Sequence, residues 1–458
     1  MKEIFNTICK YILRINLESW ISFGYKSKYP QRQLLVGYVA YSLLGTILLM
    51  FPFSSRGDIS VIDHLFTAVS ALSTTGLATV DLSTDYTFFG QLVILLLIQL
   101  GGLGYMTISS FIMLSITNHL GTDKNKLFSA QFSFPESINS SNMIKNIINF
   151  TFFFELVGTV LLASYFYMKG IEQPLWSALF HSISAFCTAG FSIYSDNLVR
   201  FQDDVYVNIV IMVLSYLGAM GFIVMTDIFK KLTQRGHKIC FTTKVIISIT
   251  CGLSIFGTIH LFFFEPSLQN FSLGDRLMIS LFQSMSAMTT VGYNTVDTGN
   301  ICPITLLVLS VAMYIGASPS GTGGGLKSTT LSAIYAYTKN KLGLRKDVSL
   351  MKNKIPSYRI ETAITTFIFY TFILFLGIYL IALFELGKVD FLSIVFEASS
   401  ALATAGLSSG ILPTITTGSK IVLILLMFIG RLGVITFGNV LLIRTVKRHN
   451  VKKMDLIV

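Results

Sequence analysis

Polar residues along this chain are confined to short intervals between long apolar runs. Eight runs stand near residues 34–53, 88–117, 146–168, 205–229, 243–264, 303–336, 362–384 and 419–443. They are continuous rather than alternating, and each can supply the roughly 20 helical residues that cross a hydrocarbon layer. The sixth is interrupted by "SPSGTGGGLKSTT" (318–330), a proline and four glycines at the depth of a span. Four shorter segments with a helical pattern lie between paired runs, and Asp63, Pro174, Asp275 and Asp390 stand at their starts as N-cap or first-turn residues. Roughly ten to fourteen residues follow each start, a length that reads as re-entrant rather than transmembrane.

These short segments share one frame, F-x3-S-A-x2-T-x-G: "FTAVSALSTTG" (66–76), "FHSISAFCTAG" (180–190), "FQSMSAMTTVG" (282–292) and "FEASSALATAG" (396–406). Five of eleven positions are identical in all four copies, so the repeating unit is span, short helix, span. Small-residue packing motifs are common in membrane helices. They do not account for four copies in register, each between two spans. The frame predicts an all-α membrane protein of eight transmembrane helices and four re-entrant pore helices around one pseudo-fourfold pore. It divides the chain into an N-terminal segment (1–33) and pore units at 34–145, 146–242, 243–360 and 361–458.

Non-helical backbone at membrane depth is tolerated where it is buried in protein or lines a watery cavity. A dehydrated cation needs oxygens in place of water, and rings of backbone carbonyls supply them. Aligning successive carbonyls takes backbone angles that glycine adopts without a side-chain penalty. The candidate filter is therefore Thr74, Thr75 and Gly76; Thr188, Ala189 and Gly190; Thr290, Val291 and Gly292; and Thr404, Ala405 and Gly406. The short helices would aim their negative C-terminal ends at the same point.

Composition excludes a soluble globule, with 52% of residues hydrophobic and 12% charged. The net charge of +11 raises the question of nucleic acid. Most of the basic residues, however, fall in 1–33, 118–145, 227–244, 338–360 and 444–458, which alternate with the connections bearing the pore helices. The positive-inside rule makes that side and both termini cytoplasmic, and no nucleic-acid surface is needed. Asp58, Asp63, Asp81, Asp85, Asp196, Asp203, Asp204 and Asp297 fall on the opposite side, an outer mouth that would concentrate cations. Residues 1–33 show no cleavable signal peptide; "IFNTICKYILRINLESWISF" reads as an amphipathic interfacial helix. Five scattered cysteines and six histidines lack metal-ligand spacing, and no nucleophile–base pairing or HExxH motif suggests an enzyme.

The interruption in the sixth run is not a nucleotide loop, because Leu326 stands where the glycine before lysine belongs and no strand precedes it. It reads as a helix broken by proline and glycine. Gly316, Ser318, Pro319, Ser320, Gly321, Thr322, Gly323, Gly324, Gly325 and Lys327 form a candidate gate, the intramembrane loop 316–327 below the filter. Each unit's second span carries a related phrase, "LGGLG" (100–104), "LGAMG" (217–221), "IGASP" (315–319) and "IGRLG" (429–433), whose Gly101, Gly218, Gly316 and Gly430 allow close packing. Arg431 replaces the Gly102, Ala219 and Ala317 of the other phrases. It is expected to face the pore, hold the loop through carbonyls and repel resting cations; pairing with an acid or a helix end is the alternative. Lys327 invites the same reading or snorkels to the cytoplasm. Glu155 suits a coupling-ion ligand or, more commonly for such residues, an inter-helix hydrogen bond.

On these motifs the chain resembles the Trk/Ktr/HKT superfamily of potassium transporters, most closely the bacterial Ktr-type membrane subunit, over nearly its whole length. The resemblance implies potassium uptake across a bacterial plasma membrane, with K+ at the filter and the glycine-rich loop as gate. It also implies a homodimer, each protomer with its own pore, on a cytoplasmic ring of RCK/KTN subunits that bind the nucleotide this chain does not. In that family, serine for glycine in the first filter segment tends to accompany sodium permeation, so four glycines imply a potassium preference. A sodium-permeable transporter is the alternative, and Na+ as an activator stays open. The basic stretch "KNKLGLRKDVSLMKNK" (339–354) suits docking of the ring or anionic membrane lipid equally.

Overall fold

The computed structural model describes residues 30–104, 107, 140–345 and 347–442. The interfacial helix expected within 1–29, most of the basic connection 118–145 and the basic tail 444–458 lie outside the described residues. The elements run α1 (Pro30–Leu49), α2 (Val61–Leu72), α3 (Phe88–Leu103), α4 (Ser140–Met168), α5 (Pro174–Phe186), α6 (Val205–Thr233), α7 (Phe241–Phe264) and α8 (Leu273–Thr289). They continue as α9 (Pro303–Ile315), α10 (Ser328–Leu342), α11 (Ser357–Phe384), α12 (Phe391–Leu402), α13 (Thr417–Leu432) and α14 (Val434–Leu442). One departure from an all-helical reading is a two-stranded hairpin, Ser349–Leu350 with Asn353–Lys354, in the basic connection before α11.

The short helices α2, α5, α8 and α12 carry the repeated frame. Two start with a serine cap: Ser60 and Ser272 accept from the backbone N–H of Asp63 and Asp275, and their hydroxyls donate back to those carboxylates. Asp390 caps α12 directly, and Pro174 occupies the first turn of α5, where a missing N–H costs nothing. The frame phenylalanines Phe66, Phe180, Phe282 and Phe396 are completely buried. The long helices instead leave large apolar side chains outside, among them Leu43, Phe152, Phe256 and Phe375. That distribution suits lipid as solvent.

Each short helix packs against the helix before it and the helix after it in its own repeat, and against the outgoing helix of the preceding repeat. Those cross-repeat contacts are α3 with α5, α6 with α8, α9 with α12, and α13 with α2; the last closes a ring. Polar clasps reinforce two seams on the outer side. Trp176 donates its indole N–H to Gln91 Oε1 at 2.9 Å, and Lys420 pairs with Asp63 at 2.7 Å.

Five described helices, α1, α4, α6, α7 and α11, are long and apolar enough to cross a membrane, and a sixth span results if α13 and α14 are joined across a 99° bend. Among the described residues, the second helix of each repeat leaves the helical conformation at a glycine. The breaks sit at Gly104, Gly221, Gly316 and Gly433, with φ of 78°, 78°, 62° and 83°. Such angles are cheap only for glycine. Three of these glycines close the phrases "LGGLG", "LGAMG" and "IGRLG"; in the third repeat Pro319 holds that place and the break moves up to Gly316.

Candidate functional site

The four filter segments leave their helices in one conformation. The N–H groups of Thr75, Ala189, Val291 and Ala405 reach back five residues to the carbonyls of Ser70, Ser184, Ser286 and Ser400, at 2.8, 2.8, 3.1 and 2.8 Å. This requires the preceding threonine to be left-handed, and Thr74, Thr188, Thr290 and Thr404 have φ of 52°, 51°, 57° and 48°. A β-branched residue in that region stores strain that only the surroundings can maintain. Gly76, Gly190, Gly292 and Gly406 follow with φ of 98°, 64°, 85° and 85°.

The glycines meet one another's neighbours in cyclic order. A Cβ on Gly76 would run into the carbonyl oxygen of Ala189, one on Gly190 into that of Val291, one on Gly292 into that of Ala405, and one on Gly406 into that of Thr75. Each clash is closer than the 3.0 Å that real Cβ atoms essentially never breach. All twelve candidate filter residues are thus gathered in one ring, almost wholly buried, with backbone oxygens from four segments at its wall. Helix dipoles of α2, α5, α8 and α12 end there and favour positive charge.

Loop 316–327 lies across the side of the ring where the short helices end. Thr188 Oγ1 donates to Thr322 Oγ1 at 3.0 Å, and Gly324 N donates to Thr290 Oγ1 at 2.8 Å. A side chain on Gly324 would strike the Ala403 carbonyl and Thr404, and one on Gly323 would meet the Thr289 carbonyl at 2.6 Å. The loop's other edge is fixed to the break in α6: Ser318 N and Thr322 N donate to the carbonyls of Ala219 and Gly218 at 3.3 and 3.1 Å. Gly321 and Gly221 approach so closely that a Cβ on Gly221 would lie 2.5 Å from Gly321 N. Gly316, Ser320 and Gly325 turn the chain with φ of 62°, 63° and 75°, and Pro319 lies in the turn with Ser320.

Two half-buried cations hold this loop. Lys327 Nζ turns back to donate to the Gly323 carbonyl at 2.6 Å instead of extending away from the loop. The Arg431 guanidinium donates to the carbonyls of Thr322 and Gly101, tying the loop to the first repeat. Gly101, Gly218 and Gly430 abut the carbonyls of Leu72, Phe186 and Leu402 at the ends of the short helices, whereas Gly316 abuts Gly324 of its own loop. Glu155 accepts from Gln99 Nε2 at 3.0 Å, across the seam between the first two repeats.

The outer acids are more occupied than a simple anionic mouth requires. Asp81, Asp204 and Asp297 cap helix or turn N-termini, Asp85 accepts from Asp81 N, and Asp196 pairs with Arg200 at 2.7 Å. Burial pushes the Asp63 carboxyl up, but Lys420, with the Thr79 and Ser60 hydroxyls, outweighs burial and holds it below the usual carboxylate range. Much of this charge is spent on local structure rather than on attracting ions.

Two features had no clear signal in the sequence. Nothing about threonine announces a left-handed backbone, although its invariance in the frame marks those positions. The breaking glycines 104, 221 and 433 were inside the quoted phrases but carried no feature separating them from the packing glycines three residues earlier.

Fold and site together define a polytopic helical membrane protein in which four short helices bring their C-terminal segments into one ring. The TrkH profile, described as "Cation transport protein", matches residues 25–450. The chain belongs to this TrkH family of cation transport proteins, and not to a family of enzymes. It is 35% identical to Ktr system potassium uptake protein B of Bacillus subtilis, covering 91% of this chain and 93% of that protein. It is 31% identical to the protein of the same name from Vibrio alginolyticus, covering 90% of each. Identity to the potassium/sodium uptake protein NtpJ of Enterococcus hirae is 32%, covering 91% and 93%. The fold matches the crystal structure of the potassium transporter TrkH from Vibrio parahaemolyticus with a TM-score of 0.71 at 20% identity, over 91% of this chain and 85% of the other.

Proposed function

We propose that this chain is the ion-translocating membrane subunit of a potassium uptake system in a bacterial plasma membrane. K+ is its cargo. It enters from the side of the short-helix N-termini and exchanges water for the carbonyls of residues 74–76, 188–190, 290–292 and 404–406. It then meets loop 316–327 as a gate. The observation that carries this reading is the cyclic contact of four glycines with four neighbouring carbonyls, which brings main-chain oxygens of all four segments together. Lys327 and Arg431 place positive charge next to the loop, so passage requires the loop, and with it the Arg431 bonds, to move aside.

The names of the relatives, proteins of a "Ktr system", support a partner subunit for this chain as well. The reading assigns it a homodimer on a cytoplasmic RCK/KTN ring, with both termini on that side and the nucleotide on the ring. The hairpin connection around 339–354 is the docking surface for the ring or for anionic lipid. Likeness to a potassium/sodium uptake protein favours one second reading, a sodium-permeable transporter. Expression in cells lacking their own potassium uptake, with and without a ring partner, separates the two. Rubidium uptake well above sodium uptake is expected; sodium uptake alone, or neither ion, refutes the potassium reading.

A further inference from the structure

In three of the four repeats the frame serine fastens the filter from behind. Ser70 Oγ accepts from Gly76 N at 3.2 Å, Ser184 Oγ donates to the Phe191 carbonyl at 2.9 Å, and Ser286 Oγ donates to the Tyr293 carbonyl at 2.6 Å. In the fourth repeat the equivalent Ser400 hydroxyl is buried and has no partner. The backbone beyond Gly406 is held instead from one turn earlier on α12. Glu397, completely buried, takes three donors on one oxygen: Ser408 Oγ at 2.7 Å, Ser409 N at 2.7 Å and Ser409 Oγ at 3.0 Å.

The second repeat has a counterpart. His181 follows Phe180 as Glu397 follows Phe396, and its Nε2 meets Ser192 Oγ at 2.9 Å; Ser192 and Ser408 each stand two residues past their filter glycine. The third repeat lacks this brace, since Gln283 at the same position leaves both amide atoms without a partner. The fourth segment therefore hangs on a side chain that the repeat frame does not supply, and no serine tether backs it up.

We propose that Glu397 is a positioning residue for the filter, fixing the fourth segment through Ser408 and Ser409 and so setting how well the ring tells K+ from Na+. This rests on the filter reading above. Its physical basis is that a carbonyl ring discriminates only while its oxygens are held, and three donors left without an acceptor, the two on Ser409 buried, would draw residues 408 and 409 elsewhere.

The test measures rubidium and sodium uptake by the full chain in cells without their own potassium uptake, at matched membrane amounts. Glu397→Leu is expected to raise the sodium-to-rubidium ratio by about tenfold, as loss of one net hydrogen bond to a charged group implies. Glu397→Gln keeps an acceptor oxygen and should stay within about twofold. Ser286→Ala should raise the ratio, whereas Ser400→Ala should leave it unchanged. Ser409→Ala, which removes one hydroxyl donor to Glu397, should raise the ratio as well, and an unchanged ratio there overturns the proposal even if Glu397→Leu fails to fold. An unchanged ratio in Glu397→Leu, or equal effects of Ser400→Ala and Ser286→Ala, overturns the proposal. Gly190→Ser distinguishes the two layers of argument. If it shifts the ratio while Glu397→Leu and Ser286→Ala do not, only the brace is wrong; if it too has no effect, the filter reading fails.

Discussion

Replacing Gly190 with serine tests the ring most directly. The new Cβ would meet the Val291 carbonyl oxygen inside 3.0 Å and Gly292 Cα at 3.0 Å, both of them backbone atoms that cannot rotate out of the way. Restoring ordinary contact, which begins near 3.4 Å, moves the third segment's carbonyl by well over 1 Å. The left-handed backbone, φ 64°, adds about 1–3 kcal/mol for a residue with a side chain. Because about 1.4 kcal/mol is tenfold, rubidium-over-sodium preference should fall by one to two orders of magnitude. Gly170 supplies the control, since its φ is a similar 68° but nothing lies within 4 Å of a Cβ there. Gly170→Ser carries the backbone cost without the collision. Uptake of both ions, measured side by side for the two variants, should show lost preference in the first and unsubstituted behaviour in the second. Equal preference in Gly190→Ser and the unsubstituted chain would refute the placement of these carbonyls at the ion's path.

The loop and the outer clasp lend themselves to three further measurements. Arg431→Ala removes the bonds to Thr322 and Gly101, and resting rubidium uptake should rise by about threefold or more, a factor that one lost hydrogen bond can account for; an unchanged initial rate shows that the loop is not held there. Gly324→Ala should abolish uptake at normal membrane levels, because its methyl would collide with the Ala403 carbonyl and Thr404; transport at the unsubstituted rate argues against the close seat of the loop. Asp63 has a depressed pKa, so its contribution to stability is present above the ordinary carboxylate range and disappears as pH falls through the folded value. Lys420→Met should therefore lower the unfolding temperature at pH 7 and raise the pH of acid unfolding, and the difference between the two chains should vanish once the pH has fallen below the depressed folded value of Asp63, where it is protonated in both.

The helices and the frame were readable because lipid imposes length and apolarity on spans, and because a motif repeated four times cannot hide. Its glycines were readable for the same reason. The left-handed threonines were not, since a strained β-branched residue looks like any other until its neighbours are in place. Hydropathy overstated the continuity of the second spans, because a window average passes over the single glycine at 104, 221 or 433 that breaks the helix. Apart from Asp63, the outer aspartates were read by charge alone. Which of them cap helices or pair with Lys420 and Arg200 depends on contacts far apart in the chain. Glu397 drew no notice, being one variable position in an otherwise regular frame; its role emerges only beside the unpartnered Ser400.

The loop across the ring exists in one copy, as does the arginine that restrains it. Four identical subunits would bring four such loops to one axis, where they could not all fit. Linking the quarters into one polypeptide lifts that restriction: a bulky loop can be grown in one quadrant and a latch for it in the next, without either being copied into the remaining two. Covalent continuity is what permits an off-centre obstruction in an otherwise symmetrical conduit.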